Sequence, residues 1–431
     1  MQHLTKWLNK LVKWRLVLAL FVASPALAQE PSSLSLEQAW QLAQQHYPMI
    51  CQKDLVRRTA DLSISNISKG YLPQLAIAGQ ATYQSEVTSV PVKIPGINID
   101  EPAKDQYKLT AEVSQLLYDG GNSAAQKNVQ RVSALVSDQQ AEVELYKIKD
   151  RINQLYLGIL LIDEQLKQTA LIKADLELGV RRVTAQVQHG TVLRSNQLVL
   201  EAELLKTDQR SIELAANRRG LLEVLGLFIN RSLEDSVQLS LPTAVAAIPE
   251  AINRPELQLF RYQDSLYQVQ EQLVNAKNRP RTSVFFQGGY GRPGLNMLSN
   301  QFDWYYLTGL RLNWSLGGLY TAKKEKQLLD VNQRMVAVQK DVFLLNTESQ
   351  LRQQRSDWDK LEQLIRTDEQ IIDLRTRVKQ AANAQLENGV ITANDYLREV
   401  NAEDQARLLL ITHKLQLLQA QLNYQSISGN Q

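Results

Sequence analysis

The chain has 431 residues, 48 of them Lys or Arg and 45 Asp or Glu, with 44% hydrophobic residues, four His and a single Cys. A charge this close to balance leaves no basic face for nucleic acid. One cysteine cannot build an intrachain disulfide framework, so stability has to come from burial, and Cys51 reads as a free buried thiol.

Residues 1–28 read as a signal peptide. Lys6, Lys10, Lys13 and Arg15 precede an apolar run from Leu16 to Ala23, and Ala26-Leu27-Ala28 before Gln29 fits the small-x-small cleavage rule. Those four residues carry the whole positive excess, so the exported chain, starting near Gln29, is expected to be nearly neutral. No Cys stands at the cleavage point, and an N-terminal lipid anchor is not expected. No later segment has the roughly 18 consecutive apolar residues of a membrane-spanning helix. Any membrane crossing must therefore be made by strands.

From Leu36 to about Tyr71 the pattern is helical, broken at Pro48. Two alternating segments follow, Gln74 to Gln84 and Tyr107 to Tyr118, separated by an irregular stretch with three prolines. A long helix is predicted from about Asn122 to Gln188, stopping at His189-Gly190 and followed by a helix that returns. Residues 231–250, with Pro242 and Pro249, connect to a second half, and the sequence leaves open whether they pack outside or simply bridge.

In that second half, strands are predicted at about Thr282 to Tyr290 and Trp304 to Leu316. Gly288-Gly289-Tyr290-Gly291 reads as a strand-end turn or rim loop; without a following helix or Lys it is no phosphate cradle. Leu319 to Asn388 then runs for about seventy residues without Gly or Pro, a helix of roughly 100 Å. Within it Val331, Met335, Val338, Val342 and Leu345, and after a phase slip Leu351, Trp358, Ile365 and Ile372, mark heptads packed lengthwise on other helices. Asn388-Gly389 stops it, and a last helix from about Asn394 to Ser426 runs back.

The punctuation of the halves coincides. Pro48 and Pro73 recur as Pro255 and Pro280, 207 residues later; Gly120-Gly121 answers Gly317-Gly318, and Gly190 answers Gly389. The expected division is 1–28 signal peptide, 29–230 first repeat, 231–250 connector and 251–431 second repeat. Each repeat reads helix, two strands, long helical hairpin. Four strands of 9 to 13 residues, apolar on one face, cannot close a membrane barrel that begins at about eight strands. A barrel shared among copies is expected in preference to a soluble sandwich, and the residues alone permit a dimer with eight strands.

The segments LSLEQAWQLAQQHYP (Leu34 to Pro48), YLPQL (Tyr71 to Leu75), LLYDGG (Leu116 to Gly121) and the paired QHGTVLRSNQLVLEAE and ENGVITANDYLREVNAE resemble, in order, duplication and spacing, the TolC-like outer-membrane efflux family. The resemblance implies an α+β membrane protein: a homotrimer whose long coiled-coil α-helical barrel continues into a 12-stranded transmembrane β-barrel in outer-membrane lipid. It also implies a periplasmic adaptor docking near Gly190 and Gly389, an inner-membrane pump of RND or ABC type, and passive export of drugs or other small molecules, with type I secretion as another use. A secreted coiled-coil adhesin stalk is the alternative function.

No catalytic constellation, cofactor or metal site is expected, because His46, His189 and His413 are scattered without a neighbouring ligand. By the resemblance, the periplasmic entrance is lined by the first turns after the Gly turns. Asp395 matches the family's acidic position and Arg398 departs from it; Glu399 is a partner for Arg398, and Asn196 is the first-half equivalent of Asp395. Asp395 also reads as a helix N-terminal acid, with Thr392 or Asn394 as cap.

Overall fold

The computed structural model describes residues 33–88, 102–242 and 251–430, and the expected signal peptide lies outside them. In chain order come β1 (Ser33–Leu34), α1 (Leu36–His46), α2 (Met49–Lys69), β2 (Gln74–Tyr83), β3 (Asp105–Tyr118), α3 (Asn122–Gln188) and α4 (Arg194–Ile229). After β4 (Gln238–Leu239) follow α5 (Pro255–Lys277), β5 (Arg281–Arg292), β6 (Asp303–Asn313), α6 (Gly318–Glu387) and α7 (Ala393–Ser428).

Two helices dominate, of 67 and 70 residues, each roughly 100 Å long and each followed by a returning helix of 36 residues. The reversals need glycine. Gly190 (φ 73°) and Gly389 (φ 70°) are left-handed, and the amides after them, Thr191 and Val390, close back onto the carbonyls of Gln186 and Gln385. Such a terminus satisfies the last carbonyls and turns the chain at once.

α3 is the central member, packed against α2 and α4 and also against α5 and α7; α6 lies beyond, against α5 and α7. The helices thus form a curved row with α2 and α4 at one border and α6 at the other. Around mid-height a belt lies across α3 and α4. Leu36, Ala39 and Ala43 of α1 bury against Ile152, Tyr156 and Ile159 of α3, Leu222 and Leu225 of α4, and Leu418 of α7. β1 pairs in parallel with β4, and the fully buried Tyr156 hydroxyl lies 2.7 Å from the Leu34 carbonyl and 2.6 Å from that of Ser240. Arg218 adds a fork to the carbonyls of Asp235 and Val237 while pairing with Asp163. Residues 234–240 of the connector therefore pack on the outside of the body; 243–250 lie outside the described residues.

The four long strands form one antiparallel sheet in the order β2-β3-β5-β6. Three expectations need correction. Cys51 is exposed, because α2 touches the body along one side only and buries no residue. The last strand stops at Asn313 rather than Leu316, where the Trp314 indole turns away to donate to the Asn278 carbonyl at 3.0 Å. Gly288 to Gly291 lie inside β5, not in a turn; a Cβ on Gly289 would meet the Tyr305 ring at 2.5 Å, and one on Gly291 the Tyr107 carbonyl at 2.6 Å. Glycine is needed there for close approach of side chain and backbone.

Candidate functional site

Two regions carry the chemistry, the sheet and the helix tips. Register sorts the sheet into two faces. On one lie Ile77, Leu109, Val113, Val284, Phe286, Leu310 and Leu312, ending in an aromatic cluster where Tyr290 stacks on Trp304 and Phe302 at 4.9 and 5.6 Å. These side chains are exposed, Trp304 at 82% and Ile77 at 72%. On the other lie Gln80, Lys108, Thr110, Glu112, Gln287 and Arg311, with Arg311 bidentate to Glu112 at 2.8 and 3.2 Å across the intervening strand. An apolar face closed by aromatic rings suits lipid, and a polar opposite face suits water. Among the described residues no helix is long and apolar enough to cross a membrane.

At the tips, Thr392 caps α7. Its hydroxyl accepts from the Asp395 amide at 3.3 Å, while the Asp395 carboxylate accepts from the Thr392 amide at 3.1 Å and its hydroxyl at 2.7 Å. Those hydrogen bonds hold the exposed Asp395 carboxyl below its ordinary range. Arg398 reaches Glu399, at 3.4 Å, rather than Asp395, and Glu399 also faces Arg375 at 3.5 Å. Asn196 is half-buried on the first turn of α4, where Leu193 stands in the place of Thr392 and no side-chain cap forms. The two tips therefore differ chemically despite equal turns.

Above the tips an ionic clasp ties the two hairpins together, and it was not anticipated. The buried Glu403 of α7 receives Lys379 and Thr376 of α6 at 2.8 Å each and Arg407 at 2.7 Å; Lys379 also reaches Asp175 of α3 at 2.8 Å. Arg210 of α4 pairs with Asp404 at 3.0 Å. The only signal in the sequence is the i,i+4 pair Glu403 and Arg407. Burial opposes ionisation of Glu403, but hydrogen bonds from Lys379, Arg407 and Thr376 outweigh it and hold its carboxyl at about 2, against 4.5 when free.

A depressed carboxyl pKa stabilises the folded state above the unfolded value and ceases to do so as pH falls toward the folded one. We therefore expect this carboxylate to contribute on the order of 2 kcal/mol at neutral pH, lost between about pH 4.5 and 2. Thermal melts of the wild type and Glu403→Gln should differ at pH 7, less so at pH 3, and converge only near pH 2; parallel curves would contradict it.

Among the described residues no group of three or more His, Cys, Asp or Glu could hold a metal ion. No protein-family model and no curated protein matches the sequence. Solved structures do match. The outer-membrane channel OprN superimposes with a TM-score of 0.68 at 12% identity, over 92% of this chain and 90% of that one. The outer membrane protein VceC from Vibrio cholerae gives 0.66 at 13%, over 92% and 96%, and the Neisseria gonorrhoeae MtrE outer membrane channel, solved in its open state, gives 0.66 at 14%, over 92% and 89%. With the long helical hairpins and the two-faced sheet already in view, these superpositions identify the fold of the chain as that of the TolC-like outer-membrane factor channels.

Proposed function

We propose that the protein is a passive outer-membrane export duct, built as a homotrimer from the two repeats 29–230 and 251–431 joined by the connector 231–250. The observation that carries the reading is a four-stranded sheet with one apolar and one polar face and, among the described residues, no strand paired to either edge, mounted on helices whose outward borders are also apolar. On α6, Val331, Met335, Val338, Val342 and Leu345 are 51–67% exposed at heptad spacing, and on α4 Leu198, Leu205 and Ile212 are 53–71% exposed at intervals of seven. The two stripes lie on opposite borders of the helix row, so each can be covered only by another copy related by rotation, the upper part of α6 of one against α2 of the next and the lower part against α4. The same rotation brings the open edge of β6 to β2 of the neighbour, and the strand directions alternate correctly across the join.

In this reading twelve strands close a barrel in outer-membrane lipid, apolar face outward, and the helices continue it into the periplasm after removal of residues 1–28. A periplasmic adaptor docks near the turns at Gly190 and Gly389, and an RND or ABC pump in the inner membrane supplies the energy. Drugs and other small molecules are the favoured cargo, with type I secretion a narrower use. The solved neighbours described above as channels favour a duct over an adhesin stalk, which has no use for a two-faced sheet. An intracellular efflux dye should accumulate in a deletion strain and fall to wild-type levels on plasmid complementation; unchanged accumulation in both would count against small-molecule cargo.

Asp395, Arg398, Glu399 and Asn196 line the narrow periplasmic mouth in this arrangement, where three Asp395 carboxylates repel each other and draw cations. Asp395→Ala and Arg398→Ala should change single-channel conductance and its cation dependence, with Asp395→Ala reducing the preference for cations. Records indistinguishable from the wild type would remove these residues from the gate.

A further inference from the structure

Between α1, α3 and the end of α7 the belt forms a partly open pocket of about 270 Å³. At roughly 30 Å³ per water, that is room for about nine waters, or one monosaccharide-sized molecule. The group that marks it is Lys149. Its Nζ stands 5.3 Å from the centre of the Trp40 ring and 5.4 Å from that of Tyr146, inside the range of cation–π attraction to both. Among the described residues no salt bridge or hydrogen bond engages it. Glu142, the nearest candidate, is taken by Lys53 at 2.8 Å.

Both rings are fixed. The Trp40 indole donates to Asn153 Oδ1 at 2.8 Å, and the Tyr146 hydroxyl donates to the Ser426 carbonyl at 2.6 Å. Arg254 covers Tyr146 from 4.8 Å, and its own charge is matched by Glu256. Burial lowers the pKa of Lys149 and the charges of Glu142 and Glu37 partly restore it, so the half-buried ammonium has acids nearby but is hydrogen-bonded to none of them. Most of the rest of the wall is neutral and polar, Gln41, Gln44, Asn153, Gln425, Ser426 and Asn430, with Leu422 the one aliphatic side chain. The sole acid in the lining, Glu37, is exposed.

We propose that this cavity is a binding site for a small carboxylate with a hydroxyl-rich body, of the acidic-monosaccharide class, whose carboxylate pairs with Lys149 and whose ring packs against Trp40 under hydrogen bonds from the surrounding amides. A half-buried, unpaired ammonium gains a charge-assisted hydrogen bond, and the fixed aromatic wall supplies the flat surface that sugar rings prefer. Nothing in this assignment depends on the duct reading.

Saturation-transfer NMR on the detergent-purified full chain tests it with three probes: D-glucuronate, D-glucose and acetate. Glucuronate should receive saturation and bind more tightly than acetate, and glucose should receive none. Lys149→Met, which keeps the apolar stem, should weaken glucuronate binding by about tenfold or more, and Lys149→Arg should retain it. Gln425→Ala, at the cavity wall, should weaken it severalfold and serves if Lys149→Met fails to fold. No transfer to glucuronate, equal transfer in wild type and Lys149→Met, or acetate binding as tightly as glucuronate would each overturn the assignment.

Discussion

If the chain assembles as the proposed homotrimer, Leu205→Glu combined with Ile212→Glu is expected to abolish assembly, leaving a monomer in size-exclusion chromatography with light scattering. Both side chains stand out from α4, 69% and 71% exposed. In the assembly each would bury against the lower half of a neighbouring α6, where Leu364, Ile371, Leu374 and Val378 form the matching exposed stripe. Burying one Leu or Ile stabilises by about 1.5–3 kcal/mol, and a ring has three such seams. Glutamate forfeits that gain and adds the cost of taking a carboxylate out of water without a counter-charge. Leu171→Glu is the control: Leu171 is 65% exposed but belongs to α3, which has neighbours of its own chain on both sides, so this variant should remain trimeric. A trimeric double variant would mean that the seams lie elsewhere.

Tyr156→Ala should be the most damaging single change in the helical body. The side chain is fully buried at the centre of the belt, so truncation opens a cavity costing about 3–5 kcal/mol, and its hydroxyl also serves the carbonyls that join β1 to β4. Tyr156→Phe separates the two effects: it keeps the volume and leaves the Ser240 carbonyl without its donor, while that of Leu34 still accepts from the Ser240 amide, for about 1–3 kcal/mol. The expected readouts are a lower melting temperature for both, larger for Ala, and faster proteolytic cleavage within residues 231–250 for both. If Phe behaves as wild type in the cleavage assay, the hydroxyl does not hold the connector.

The long helices were legible because their signals are local and redundant. Absence of Gly and Pro between Leu319 and Asn388 bounds α6 almost to the residue, and Gly389 marks its end because only a left-handed residue makes the turn. The strands were legible for the same reason, through the alternation of side chains. Cys51 was misjudged because burial of a thiol depends on which side of α2 meets α3, which its neighbours in sequence do not encode. The Gly288 to Gly291 run was misread because glycine in a strand and glycine in a turn look alike until the opposing Tyr305 ring is known. Most of the clasp was invisible: Lys379, Asp175 and Glu403 come together only through the packing register of helices 204 and 24 residues apart in sequence.

The belt also has a mechanical meaning. It grips α7 near Leu418, and from there to Ala393 at the tip the helix extends about 38 Å, a stiff arm with a fixed end. Glu403 lies about 22 Å along that arm, so each ångström of slack at the clasp becomes about 1.7 Å of travel at the tip. A tilt of roughly 10° about the belt moves Ala393 by nearly 7 Å, while the sheet, on the far side of the fulcrum from the tip, need not deform at all.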